Sequence, residues 1–149
     1  MNLFVARFLS ALCFGVVAAA SAAEPSALKD VTFDDVKLEM KAGDPFKPSL
    51  LTPKVKQLDG TPVRIRGYIL PSFQQAGIKQ FVLVRDNMQC CFGPGAALHD
   101  CILVEMTGNA AANFSVRPVS VTGVFSVKEV VGPDGTHLAI YHMDGKEVK

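Results

Sequence analysis

The 149-residue chain contains no Gly-x-Ser-x-Gly, no His-Glu-x-x-His and no phosphate-cradling glycine loop; its lone Gly93-x-Gly95 is a turn. No motif therefore marks serine hydrolase, zincin or P-loop chemistry. Cys-x-x-Cys at a helix start is missing too, and so is the strand-helix alternation of a parallel sheet that would carry one, which argues against thiol-disulfide catalysis of the thioredoxin kind. Charge of one sign is not in excess, with 15 basic against 14 acidic residues. That leaves no electrostatic case for nucleic acid. Long apolar runs are absent after the first 23 residues, so no later segment reaches the roughly 18 to 20 residues that a spanning helix needs.

Residues 1–23 have the three parts of an export signal. Arg7 supplies the positive region, Phe8 to Ala20 the apolar region, and Ala20-Ser21-Ala22-Ala23 a small-residue cleavage site. The apolar run is too short for a transmembrane anchor, and Leu12 stands before Cys13 where a lipoprotein needs a small residue. The mature chain is expected to begin at Ala23 or Glu24, in the periplasm or secreted. Removing Arg7 leaves 14 basic and 14 acidic residues, a net charge of zero. About 126 residues is one domain by length and enough to bury a core without staples.

Residues 24–58 read as an N-terminal arm ending in a short helix. Gly43-Asp44-Pro45-Phe46-Lys47-Pro48 breaks any regular element, and Thr52 caps a helix that opens with Pro53, turns Val55 and Leu58 inward and stops at Asp59-Gly60. Residues 59–149 carry five strand patterns: Val63–Leu70, Phe81–Asp86, Ile102–Met106, Pro118–Lys128 and His137–Met143. In the first, Val63, Ile65, Gly67 and Ile69 share a face. In the fourth, Val119, Val121, Gly123, Phe125 and Val127 do, and in the fifth Leu138, Ile140 and His142. Interior glycines at 67 and 123 mark bends or close backbone approaches. The fold class is all-β: a small five-stranded antiparallel barrel, OB-like (oligonucleotide/oligosaccharide-binding), with a two-sheet β-sandwich as the alternative.

Between the second and third strand patterns lies Gln89-Cys-Cys-Phe-Gly-Pro-Gly-Ala-Ala-Leu-His-Asp-Cys101, which holds all three cysteines of the mature chain. Phe92, Gly93 and Pro94 shape its turn. A disulfide from Cys101 to Cys90 or Cys91 would tie the loop's ends and stabilise by roughly 2.5 to 3 kcal/mol in the chain-entropy model. Cys90, Cys91, His99 and Cys101 also offer the donor types of a tetrahedral zinc or a cuprous copper site, although adjacent cysteines are awkward joint ligands. Buried or free thiols are the third reading. Under the disulfide reading, truncating His99 is expected to change almost nothing. His137 and His142 lie on opposite faces of a strand and read as rim or core histidines. Arg64, Arg66 and Arg85 form one patch, suited to a carboxylate or phosphate, if the first two strands pair. Asp86 and Glu105 on neighbouring runs favour a solvated face instead.

The pieces Val63-x-Ile-x-Gly-Tyr-Ile-Leu-Pro71, Phe81-x-Leu-Val-Arg-Asp86, Cys90-Cys-Phe-Gly93 and Ile102-x-Val-Glu-Met106 resemble an uncharacterised, domain-of-unknown-function family of short exported bacterial proteins. The resemblance spans Asp59 to Asp144 and implies a small OB-like barrel in the periplasm. It also implies a protein partner among ABC transporter components, or a link to metal homeostasis. His99 and Cys101 lie outside the matching pieces. Three functions stand beside one another: a non-enzymatic exported binding or adaptor module without a cofactor, a metal-binding protein for zinc or copper, and a thiol redox protein.

Overall fold

Strand β2 (Thr61–Ile69) organises the sheet because it pairs with three others. The computed structural model describes residues 27–70, 72–86, 88, 96–133, 135 and 137–149; the expected signal, residues 1–23, lies outside them. The remaining elements are β1 (Lys29–Val31), α1 (Pro53–Leu58), β3 (Gln80–Val84), β4 (Cys101–Met106), β5 (Val119–Val131) and β6 (His137–Val148). Hydrogen bonding runs β1-β2-β3-β4-β6-β5, and β5 returns to β2 from Thr61↔Phe125 to Gly67↔Val119. A sheet that pairs back onto itself is a ring, which answers the alternative of two separate packed sheets.

Two details correct the expected five antiparallel strands. There are six strands among the described residues, since Lys29–Val31 of the arm lies parallel to β2 and buries Val31. Three residues are too few to show a period. β4 and β6 also run parallel, from Leu103↔His142 to Met106↔Gly145. The chain between β4 and β5 crosses over before the β5–β6 hairpin forms, and alternation within a strand carries no information on such a crossing. The ring is uneven: β2 and β3 share only Tyr68↔Val84 and Ile69↔Leu83, extended by the Leu70 amide donating to the Val82 carbonyl at 2.9 Å.

The helix matches its sequence signals. The Val55 amide donates to Thr52 Oγ1 at 3.2 Å, Pro53 opens the first turn, and Gly60 takes φ +73° just beyond the end. Val55 and Leu58 are buried as expected.

Inward residues of β2, β3, β4 and β5 meet arm residues Phe33, Val36, Leu38 and Phe46 in one apolar core. The Tyr141 hydroxyl donates to the Val36 carbonyl at 2.7 Å within that core, and burial raises the phenol's pKa well above its ordinary value. Strand β6 departs from simple alternation. Ala139 to Met143 are all buried, whereas Leu138, expected on the covered face, is exposed. The strand's Tyr141 reaches the arm and the Leu98–Asp100 turn also packs against the strand, whereas its start extends past β4.

Candidate functional site

Cys90, Cys91, Phe92, Gly93 and Pro94 lie outside the described residues, while His99 and Cys101 can be placed. Cys101 begins β4 opposite Val84 of β3, and its side chain is half-buried. His99 sits in a 3-10 turn, Leu98–Asp100, and is 3% exposed. Its Nδ1 is buried without a hydrogen-bond partner among the described residues, and its Nε2 lies 3.8 Å from Asp100 Oδ2. Burial lowers the His99 pKa; Asp100 opposes this, Lys37 and Arg85 add to it, and Glu39 opposes it. Arg85 anchors the turn, its amide donating to the Asp100 carbonyl at 3.0 Å and its guanidinium lying 2.7 Å from Asp34 and 3.7 Å from Asp100.

This placement corrects the expectation that truncating His99 changes almost nothing. A side chain 3% exposed leaves a cavity when cut to alanine, whatever the state of the cysteines. The turn tucks the imidazole inward, which polarity along the sequence does not reveal. Among the described residues no three His, Cys, Asp or Glu side chains gather around one point as ligands. His137 Nε2 lies 2.9 Å from Glu129, while the buried His142 sits between Glu105, 3.2 Å from Nε2, and Asp144, 4.0 Å from Nδ1.

A roomier concave surface lies elsewhere, and sequence reasoning missed it. On β3 and β4 the inward positions are Phe81, Leu83, Ile102, Val104 and Met106; Gln80, Val82, Leu103 and Glu105 alternate with them on the outer face. Over that face opens a cleft of about 430 Å³, bounded by Leu70 and Ser72 from the β2–β3 connection and by Val130, Leu138 and Ala139 from the β5–β6 hairpin. Its floor includes Gln80, Val82 and Leu103, and among the described residues none that lines it is charged. Leu138 at 61% and Val131 at 52% stay exposed at or beside its hairpin wall. The volume is in the range of small-ligand sites. In an OB-type barrel the two strands after the first, with the first–second and fourth–fifth loops, form the ligand face, and the cleft occupies that position here. The available signal was Leu70, an apolar residue on the face of its strand pattern opposite Val63, Ile65 and Ile69.

No helix among the described residues is long and apolar enough to cross a membrane. A family model described as a protein of unknown function (DUF3299) matches residues 20–149. The fold is similar to the crystal structure of a DUF3299 family protein from Pseudomonas aeruginosa PAO1, with a TM-score of 0.57 and 21% identity over 83% of this chain and 95% of that one. No curated protein matches.

Proposed function

The chain belongs to the DUF3299 family, and from that premise we propose that it is an exported, non-enzymatic binding module that holds an apolar segment of a partner protein in the β3–β4 cleft. The observation that carries this reading is the cleft walled by Val130 and Leu138, uncharged among the described residues, at the position where OB-type barrels take their ligands. A soluble domain gains nothing in its own stability from Leu138 and Val131 in water, whereas a partner that covers them gains roughly 25 cal/mol per Å² of apolar area. The resemblance noted in the sequence supports an ABC-type export component as that partner, in the periplasm.

The test uses Nile red, an uncharged apolar probe. Saturable fluorescence enhancement should weaken several-fold in Leu138→Ser and further in Leu103→Ser/Leu138→Ser, with Leu138→Ser melting like the parent because its side chain is already exposed. An absence of saturable binding, or equal binding by parent and variants, overturns the proposal.

A second reading, metal handling by Cys90, Cys91, His99 and Cys101, is favoured by one observation: the buried Nδ1 of His99, two residues before Cys101, which has no hydrogen-bond partner among the described residues. Because truncating His99 disturbs packing in any case, it does not separate a disulfide from an ion. Elemental analysis and thiol counting on the purified protein do. One zinc or copper per chain, lost to a chelator with a drop in melting temperature, supports the ion; one disulfide per chain without metal removes it.

A further inference from the structure

We propose a second site, independent of the apolar cleft: an oxyanion-binding pocket on the outer face of β2, built by Arg66, Tyr68 and Arg85. These side chains, with Pro118, line an open cleft of about 360 Å³. Arg66 and Tyr68 alternate with the inward Ile65 and Gly67, so both occupy the outward register. Tyr68 stands opposite Val84 across the β2–β3 seam, which brings Arg85, the next residue, beside it.

Charge pairing decides what this pocket can hold. The carboxylates expected to neutralise the arginines are engaged elsewhere: Glu105 accepts from Gln80 and faces His142, and Asp86 accepts from the Met88 amide. Arg64 pairs with Asp30 at 3.3 Å, and Arg85 with Asp34 and Asp100. Among the described residues Arg66 has no ion-pair partner, nor has Arg117, the exposed residue next to Pro118. The Tyr68 hydroxyl likewise makes no hydrogen bond within the described protein. The pocket thus presents an unneutralised guanidinium fork, a second fork held in place by two carboxylates, and a free hydroxyl donor. Its complement is a carboxylate or phosphate group, which a guanidinium engages through two parallel hydrogen bonds. Arg66 is itself exposed, so the outer face of β2 is open there.

Calorimetric titration of the full chain with inorganic phosphate and with succinate tests the site, and co-sedimentation with phosphatidylglycerol vesicles asks whether a lipid headgroup supplies the anion. Saturable binding should weaken at least tenfold in Arg66→Gln, the loss expected for one charge-assisted contact. It should fall less in Tyr68→Phe, remain unchanged in Arg64→Gln, and weaken with added salt. Arg66→Lys keeps the charge without the fork and should fall between parent and Arg66→Gln. Free phosphate that releases bound vesicles places a headgroup in the same pocket. Absence of saturable binding to all three probes, or binding that Arg66→Gln leaves intact, overturns the proposal.

Discussion

Replacing Gly67 by alanine adds one methyl group, and the structure predicts that this single group opens the ring at its weakest pairing. An ideal Cβ at position 67 would lie 2.7 Å from the Val84 carbonyl oxygen and 3.0 Å from both Leu83 Cγ and Phe33 Cε2. The nearest of these is backbone, so it cannot swing aside as the end of a side chain can. Val84 is also one of only two β3 residues paired with β2, so moving its carbonyl strains that seam directly. In an open strand alanine is the more stable residue by about 0.5–1 kcal/mol. Against that gain, overpacking takes about 1–3 kcal/mol, and a displaced strand hydrogen bond about 1 kcal/mol more. The net expectation is a loss of about 1–3 kcal/mol, or a melting temperature lower by roughly 3–12 °C for a chain of this size. Urea titration followed by far-ultraviolet circular dichroism measures it. Gly123→Ala should behave alike, since its Cβ would meet the Asp144 carbonyl and lie 2.9 Å from Met143 Cγ. A Gly67→Ala protein as stable as the parent, or more so, would mean that β2 and β3 do not approach closely there, and the account of the ring would fail.

Tyr141→Phe removes the 2.7 Å hydrogen bond to the Val36 carbonyl and leaves that acceptor buried, so it should destabilise by about 1–2 kcal/mol and speed proteolysis within the arm; an arm cleaved at the parent's rate would count against its being pinned there. His99 sets an acid limb. Its folded pKa lies below the ordinary 6.5 because burial disfavours the charged ring, so the unfolded chain takes up a proton first as pH falls and stability declines from about 6.5 downward, levelling only below the folded value. Urea midpoints at stepped pH should show a shallower decline in His99→Gln than in the parent, and identical slopes would refute the assignment.

Local signals in the sequence determined much of this protein. The Thr52-Pro53 start and Asp59-Gly60 stop delimit α1 because capping and a left-handed glycine act within a turn of chain. The alternating runs of Val63–Leu70 and Ile102–Met106 placed β2 and β4 because a strand's two faces meet different solvents every second residue. Gly67 and Gly123 disclosed close approaches, since a strand interior without a side chain has few other reasons to be there. Only the tertiary structure decided which strands those glycines face, that β6 runs parallel to β4, and that Lys29–Val31 adds a strand, because pairing partners are set by the packing of segments far apart in sequence. The same holds for His99, drawn inside by a turn, and for Arg66, left without an ion-pair partner among the described residues because its neighbours' carboxylates find other partners. The apolar cleft is the plainest case: Leu70, Leu103 and Leu138 are ordinary residues in three separate strand patterns, and they become one surface only when the ring closes and the hairpin reaches across it.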